Sequence, residues 1–326
     1  MAFKIIETAS ALPANIVTND DLTAIMETSN EWIESRTGIL ERRISETENT
    51  SDLCLRVAQT LLDKSGIAVS QINAIIVATM TPDYYTPSTA AIVQGRLGAD
   101  QAFAFDISAA CSGFTYALSA ARGYVQTPDD YVLVIGGEVI SKMLDWSDRS
   151  TAVLFGDGAA GVLLQGTTAD QESWVSEKLI TIGTESDQLV SGYAPVKRPN
   201  FGQVGQTQVG IDFFKMTGKA IYQFSTRRVP KAIEAAVLEA GLTLDQIDHF
   251  LVHQANSRLI TKMASMLDQP LTKFPMNLQH YGNTSAASIP LLLAEQVETN
   301  QIKRGDLCVL CGFGGGLTIG IQIIRY

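Results

Sequence analysis

Cysteine and histidine are scarce: a chain of 326 residues carries four of one and three of the other. Cys54, Cys111, Cys308 and Cys311 are too few and too scattered for a disulfide framework, and a reducing compartment would keep them as thiols. Cys308 and Cys311 form a C-x-x-C, but no second pair or neighbouring histidine completes a zinc site. They sit in the strand-like run Leu307-Cys-Val-Leu-Cys311, where buried structural thiols are expected. Long apolar runs are missing too. The longest, such as Tyr131 to Ile135 and Leu307 to Cys311, fall far short of a membrane span, and residues 1–20 have no apolar signal-peptide core, so a cytoplasmic protein is expected. Nor is there a block of like charge. The net charge of -10 disfavours non-specific attraction to nucleic acid or to an anionic membrane. Two nucleotide motifs are excluded as well. No G-x-x-x-x-G-K-[ST] occurs, and Gly156-Asp-Gly158-Ala-Ala-Gly161 leads into Val162-Leu-Leu-Gln165, a strand pattern, whereas a dinucleotide fingerprint opens a helix.

What is present is the composition of a compact fold, 46% hydrophobic and 18% charged, with a mean hydropathy of +0.12. Length allows one large fold or two domains with a substantial core. Comparing the chain with itself reveals a repeat. Gly66-Ile-Ala-Val-Ser-Gln-Ile72 recurs as Gly241-Leu-Thr-Leu-Asp-Gln-Ile247 at an offset of 175, and each copy leads into a branched apolar run, Ala74 to Val77 and His249 to Val252. Phe103-Ala-Phe-Asp-Ile107 resembles Phe274-Pro-Met-Asn-Leu278 at an offset of 171, and Asp130-Tyr-Val-Leu-Val-Ile-Gly136 resembles Asp306-Leu-Cys-Val-Leu-Cys-Gly312 at an offset of 176. Three collinear matches at nearly constant spacing argue for two copies of one β/α unit, with predominantly parallel sheets covered by helices. The halves divide near residue 170, in the polar stretch Gly166 to Glu172, giving residues 1–170 and 171–326.

The repeat has a chemical corollary. Cys111 in the first copy and Gly282-Asn283 in the second follow matched strands, so pseudo-symmetry would bring them face to face, with His253 at the end of another second-copy strand. Cys111 opens the helical pattern Ser112 to Arg122, and this strand-turn-helix elbow would favour the thiolate and offer N–H groups to an oxyanion. The bland alternative is a buried small hydrophobe, but small neighbours at Ala109, Ala110, Ser112 and Gly113 leave room for a substrate. His253 is the best placed of the histidines for acid–base work, since His249 lies inside a strand. Gly312-Phe-Gly-Gly-Gly316 follows a strand and offers bare backbone, as an oxyanion cradle requires. Near the amino terminus, Thr28-Ser-Asn-Glu31 has capping-box spacing, which predicts Trp32 and Arg36 on one helical face, an arrangement suited to a nucleotide.

Asp106-Ile-Ser-Ala-Ala-Cys-Ser-Gly-Phe114, Asp148-Arg149 with Phe155-Gly-Asp-Gly158, Val252-His-Gln-Ala-Asn256, Gly282-Asn-Thr-Ser-Ala-Ala-Ser288 and Phe313-Gly-Gly-Gly316 together resemble the β-ketoacyl-[acyl-carrier-protein] synthase III family, the initiating condensing enzymes of bacterial fatty-acid synthesis. The resemblance covers essentially the whole chain. It implies an α/β thiolase-like fold, two duplicated halves in five αβαβα layers, and a homodimer. Cys111 would take the acyl group from CoA. His253 and Asn283 would hydrogen-bond the malonyl thioester carbonyl of acyl carrier protein as carbon dioxide leaves, and the carbanion would attack acyl-Cys111. Backbone N–H groups of Cys111 and Gly315 would hold the oxyanions, with no metal or redox cofactor. By the same resemblance Thr28, Trp32, Arg36, Arg149, Gly218, Asn256 and Arg258 would line the CoA tunnel, while Arg258, Arg227, Arg228 and Lys262 would dock the acidic carrier protein. Thr86 and Phe155 would line the acyl pocket.

The chain departs from the family pattern at Thr86, where a straight-chain-specific relative has a bulky Phe, and at a tunnel aromatic, here Tyr222. Thiolases need a second catalytic Cys, and Cys311 falls one residue early, on the opposite strand face. Hydroxymethylglutaryl-CoA synthases need a Glu with no matching motif here, and elongating ketosynthases use two His. A starter ketosynthase of secondary metabolism and a non-catalytic acyl-CoA-binding protein stand as alternatives.

Overall fold

Strand-forming runs that are apolar on both faces need covering on both faces, and the molecule stacks five layers to do so. The computed structural model describes residues 2–168, 172–193 and 212–326. The first sheet contains β1 (Ala2–Ala11), β2 (Ile72–Ala78), β3 (Phe103–Ile107), β4 (Tyr131–Glu138) and β5 (Gly158–Thr167) in the order β1-β5-β4-β2-β3. The second contains β6 (Trp174–Thr181), β7 (His249–Val252), β8 (Leu307–Gly314) and β9 (Thr318–Arg325) in the order β6-β9-β8-β7. Walking each sheet from β1 or β6 gives the same steps: antiparallel, antiparallel, parallel.

Alternation along the strands builds the layers. On β4, Val132 and Val134 join a central core with the helices Gly113–Ala121 and Ser288–Glu298, while Leu133 and Ile135 join an outer core under the helices Thr50–Ser65 and Thr89–Leu97. On β8, Cys308 and Leu310 face the centre, while Val309 and Cys311 face the helices Val229–Glu239 and Ser257–Met266. All four cysteines are free and buried, and Cys311 points away from the central layer.

The repeat matches are recurring local devices. Gly66 and Gly241 both leave a helix at positive φ, +69° and +73°, and are followed by 3-10 turns at Val69–Gln71 and Leu244–Gln246. Gln71 and Gln246 then accept from the Ala68 and Thr243 N–H groups, at 3.1 and 2.8 Å. Asp130 and Asp306 repeat another device, each accepting from the N–H three residues earlier, Thr127 at 2.7 Å and Lys303 at 2.8 Å, to close the turn before its strand.

Two expectations are corrected. The sheets are mixed rather than predominantly parallel; in the second sheet the Gly315–Leu317 connection between β8 and β9 is too short for a crossover helix. Phe274–Leu278, matched in sequence to β3, is not a strand. Pro275 removes a ladder donor, and the segment leads into the short helix Leu278–Tyr281. β1–β5, ending at Thr167, form the first sheet and β6–β9, starting at Trp174, the second, while Ile16–Thr18 with Glu41–Arg43 and Leu189–Val190 with Lys215–Met216 form separate two-stranded ribbons; the expected boundary falls on residues outside those described. Among the described residues no helix is long and apolar enough to cross a membrane.

Candidate active site

The chain leaves β3 and turns through the 3-10 segment Ala110–Ser112 straight into the helix Gly113–Ala121, setting Cys111 at the elbow. Ala110 has φ of +46°, a left-handed conformation that costs a side-chain-bearing residue about 1 kcal/mol. Ser112 holds the turn by donating from Oγ to the Ala109 carbonyl at 2.8 Å and sharing a 2.5 Å hydrogen bond with Thr318 of the other half. Glycines of β8 let the second half press onto this elbow. A β-carbon on Gly312 would lie 2.7 Å from Ser112 Cα, and one on Gly314 would lie 2.9 Å from Cys111 Cβ. Gly314 is thus the glycine against the nucleophile, with Gly315 one step further along, beside Ala110.

His253 follows the last residue of β7, its N–H donating to the Cys311 carbonyl at 2.9 Å. Its ring is buried edge-on against Phe313, with centroids 5.3 Å apart, and Nδ1 has no hydrogen-bond partner. A proton on Nδ1 would be a buried donor without an acceptor, so the favoured tautomer carries it on Nε2. Burial pulls the imidazole down to about 3, so the ring is neutral. Asn283 is fixed by a bridge to Phe155, its N–H donating to the Leu154 carbonyl at 2.8 Å and its carbonyl accepting from Gly156 at 3.1 Å. The Ser285 N–H donates to Asn283 Oδ1 at 2.9 Å, which leaves the Nδ2 donors for a ligand.

Cys111, His253 and Asn283 line one cavity of about 280 Å³. Apolar side chains, among them Phe155, Phe214, Leu189 and Met216, supply most of its wall, and Phe155 meets Phe214 edge-on at 4.7 Å. Burial pushes the Cys111 thiol up to about 12, against the Ser285 hydrogen bond that favours ionisation. Burial thus opposes the thiolate that the helix N-terminus was expected to favour.

Toward the surface the cavity is bordered by Arg36, Gly218, Tyr222, Asn256 and Arg258. Two guanidiniums meet the Trp32 ring, Arg36 at 5.0 Å and Arg149 at 5.2 Å from its centroid. The helix Asn30–Thr37 is capped by Ser29 rather than Thr28, a one-residue shift from the expected box. Thr28 Oγ1 is left buried without a protein partner. Asn256 is committed to structure: it caps the helix Ser257–Met266 and donates to the Arg36 carbonyl at 2.9 Å. Arg227, Arg258 and Lys262 are exposed, whereas Arg228 is paired with Glu185 at 2.7 Å.

Thr86 is not brought to this cavity. It stands exposed on the loop after β2, before Pro87, because the chain between β2 and the helix Thr89–Leu97 runs over the surface. Phe214, Leu189, Met216 and Ser285 were missed in the sequence. Leu189 and Met216 come from two-residue ribbon strands and Phe214 directly precedes one of them, none with a periodic pattern, whereas the Gly282 to Ser288 motif did contain Ser285.

Two family models match, described as 3-oxoacyl-[acyl-carrier-protein] synthase III over residues 105–183 and its C-terminal region over residues 237–326. The beta-ketoacyl-[acyl-carrier-protein] synthase III of Latilactobacillus sakei subsp. sakei is 99% identical over 326 residues, spanning 100% of both chains. The chain belongs to the β-ketoacyl-[acyl-carrier-protein] synthase III family. Among solved structures, the synthase III of Aquifex aeolicus is 38% identical with a TM-score of 0.90, covering 99% of this chain and 100% of that one. The priming β-ketosynthase of the R1128 polyketide pathway is 30% identical with a TM-score of 0.90, covering 99% and 96%. The thiolase-like fold is therefore that of the family, and the family's motifs fall on the elbow, the two second-half donors and the glycine turn that meet here.

Proposed function

We propose that the chain takes a short acyl group from acyl-CoA onto Cys111 and condenses it with malonyl-acyl carrier protein to give a 3-oxoacyl product, in the initiating step of fatty-acid biosynthesis. The observation that carries this is the meeting of Cys111, His253 and Asn283 in one apolar cavity that opens past Arg36 and Arg258. The pantetheine arm would enter between Gly218 and Asn256, with the nucleotide near Trp32, Arg36, Arg149 and the unpartnered Thr28 hydroxyl. Acyl transfer builds negative charge on the carbonyl oxygen, which the Cys111 and Gly315 N–H groups would receive, one such donor being worth about 3–4 kcal/mol.

For condensation, the neutral His253 and the Asn283 amide present two N–H donors where the malonyl thioester oxygen becomes an enolate. Decarboxylation leaves the electron pair on carbon, that carbon attacks acyl-Cys111, and the thiolate departs. The steps call for no metal or redox cofactor, and CoA enters as a substrate. A homodimer is supported by the β3 edge, where Phe103 is 46% exposed beside Tyr124, with Tyr84 and Tyr85 exposed nearby. Thr86 neighbours those tyrosines, so only a second copy could bring it near an acyl chain.

Whole-protein mass after mixing with acetyl-CoA tests the reading. One added acetyl group is expected, absent in Cys111→Ser, and an unmodified wild-type chain would favour a non-catalytic acyl-CoA binder. Competition among acetyl-, isobutyryl- and longer acyl-CoA primers then fixes the preferred starter.

A further inference from the structure

His253 and Asn283 reach the cavity from different segments of the second half, yet condensation as read above has both donate to one oxygen. His253 stands just after β7, and Asn283 on the turn that leads through Ser285–Ala287 into the helix Ser288–Glu298. Two donors serve one enolate only if their spacing is held closely, since a misplacement of about 1 Å can cost about a hundredfold in rate. Side chains outside the cavity must keep the two segments in register.

The Gln254 N–H, in the peptide that follows His253, donates to Ser288 Oγ at 2.7 Å. Gln254 and Ser288 are each 1% exposed, so the bond is shut off from solvent. The hydroxyl is not spent on its own helix, whose N-cap is Ala287 and which has no side-chain cap bond. With the His253 N–H on the Cys311 carbonyl at 2.9 Å, the peptides on both sides of His253 are fixed, one to β8 and one to the helix behind Asn283. A second tether runs beside the first. Gln254 Nε2 donates to the Val252 carbonyl at 2.9 Å, and Gln254 Oε1 accepts from the Asn277 N–H at 3.1 Å. Asn277 Nδ2 then donates to Glu295 Oε2 at 2.7 Å, about two turns further along the Ser288 helix. Gln254, Asn277, Ser288 and Glu295 all stand outside the cavity wall.

We propose that Ser288 is a positioning residue for condensation: by holding the His253–Gln254 peptide to the helix behind Asn283, its hydroxyl sets the two N–H donors on a common oxygen. The inference rests on the condensation reading above. Ser288 touches neither substrate nor reacting atoms, and it acts through the His253–Gln254 peptide. Acyl transfer from CoA, on the same reading, uses the Cys111 thiol and the backbone N–H groups of Cys111 and Gly315. Ser288 therefore matters to one half-reaction and not to the other.

The test measures the half-reactions separately: acetyl-Cys111 formation from acetyl-CoA by whole-protein mass, and 3-oxoacyl product formed by acetyl-loaded enzyme from malonyl carrier protein. Ser288→Ala leaves the Gln254 N–H buried and unpaired. Its condensation kcat should fall about tenfold, with KM for malonyl carrier protein within about twofold of wild type and acylation unchanged. Ser288→Thr, which keeps the oxygen, should recover most of the condensation rate. A folded Ser288→Ala that condenses at the wild-type rate overturns the proposal, and so does a loss shared equally by acylation, as a merely structural role would give. If a thermal melt shows Ser288→Ala unfolded, Ser288→Cys decides, because its sulfur fills the site but accepts poorly. A loss confined to condensation then supports the proposal, and an equal loss or none overturns it. A wild type that acylates but never condenses would overturn the condensation reading itself, and the role of Ser288 would fall with it.

Discussion

The turn Ala110–Ser112 in the first half and the turn Ser285–Ala287 in the second are built alike. Each is entered through a left-handed residue, Ala110 at φ +46° and Ser285 at φ +49°, and each leads into a central helix. Each is pressed by a glycine of the opposite half: a β-carbon on Gly312 would meet Ser112 Cα at 2.7 Å, and one on Gly136 would fall within 3 Å of the Ala286 carbonyl oxygen. At the 175-residue offset, Cys111 corresponds to Ala286, not to Gly282-Asn283 as the sequence comparison suggested. The difference teaches that duplication supplied two strained elbows and only one kept a thiol. The other half supplies the donors, His253 and Asn283, that a single half could not aim at its own elbow.

Transposing the thiol is the sharpest way to break this comparison. Cys111→Ala combined with Ala286→Cys should lose acylation by roughly 10³-fold or more, since a buried thiol unable to reach substrate contributes no covalent step. Ala286 is 1% exposed and does not line the cavity. Acetylation of the transposed thiol, read by peptide mass, would show the elbows to be interchangeable.

Removing a donor from the second half should be milder. His253→Ala is expected to lower condensation by about 10²- to 10⁴-fold while Cys111 still acylates. Because burial holds His253 at about 3, it protonates only in strong acid. Carbon dioxide release from malonyl carrier protein by acyl-loaded enzyme should therefore show no histidine limb between about pH 5 and about pH 8. A limb near pH 6.5 that vanishes in His253→Ala would mean the ring is charged in the working site. Milder still is Gly314→Ala, whose methyl would lie 2.9 Å from Cys111 Cβ and 3.1 Å from its sulfur. Overpacking of this kind costs about 1–3 kcal/mol, and acylation should fall roughly tenfold with the fold intact.

Particular residues mark how far the sequence could be read. The strand pairs that repeat were visible because their turns are local: Gly66 and Gly241 need positive φ, and Asp130 and Asp306 close on N–H groups three residues back. Cys111 was legible after the Phe103–Ile107 strand pattern, His253 where an apolar run gives way to polar residues, and Asn283 from the motif Gly282 to Ser288. What stayed hidden is non-local. The mixed direction of the second sheet was set by a three-residue turn, Ser285 meets Met80 across the halves, and the burial that opposes ionisation of Cys111 is encoded by no local motif. Thr86 illustrates the same limit from the other side, since a motif neighbour located it while the surface loop kept it from the cavity.

The smallest expected effect separates two arginines that look equivalent in sequence. Arg258 is exposed at the cavity mouth, with Lys262 one helical turn along, and has no ion pair among the described residues. Arg228 already neutralises Glu185 at 2.7 Å, with both side chains partly exposed. An unpaired rim cation speeds encounter with an acidic partner, whereas a paired one has little field left to offer. Arg258→Ala should raise KM for malonyl carrier protein about fivefold, an effect that shrinks with added salt, while Arg228→Ala should change it less than about twofold. Equal effects of the two substitutions at low salt would mean that the Glu185 pair opens on docking, and the basic surface would then extend beyond the second half's helix Ser257–Met266.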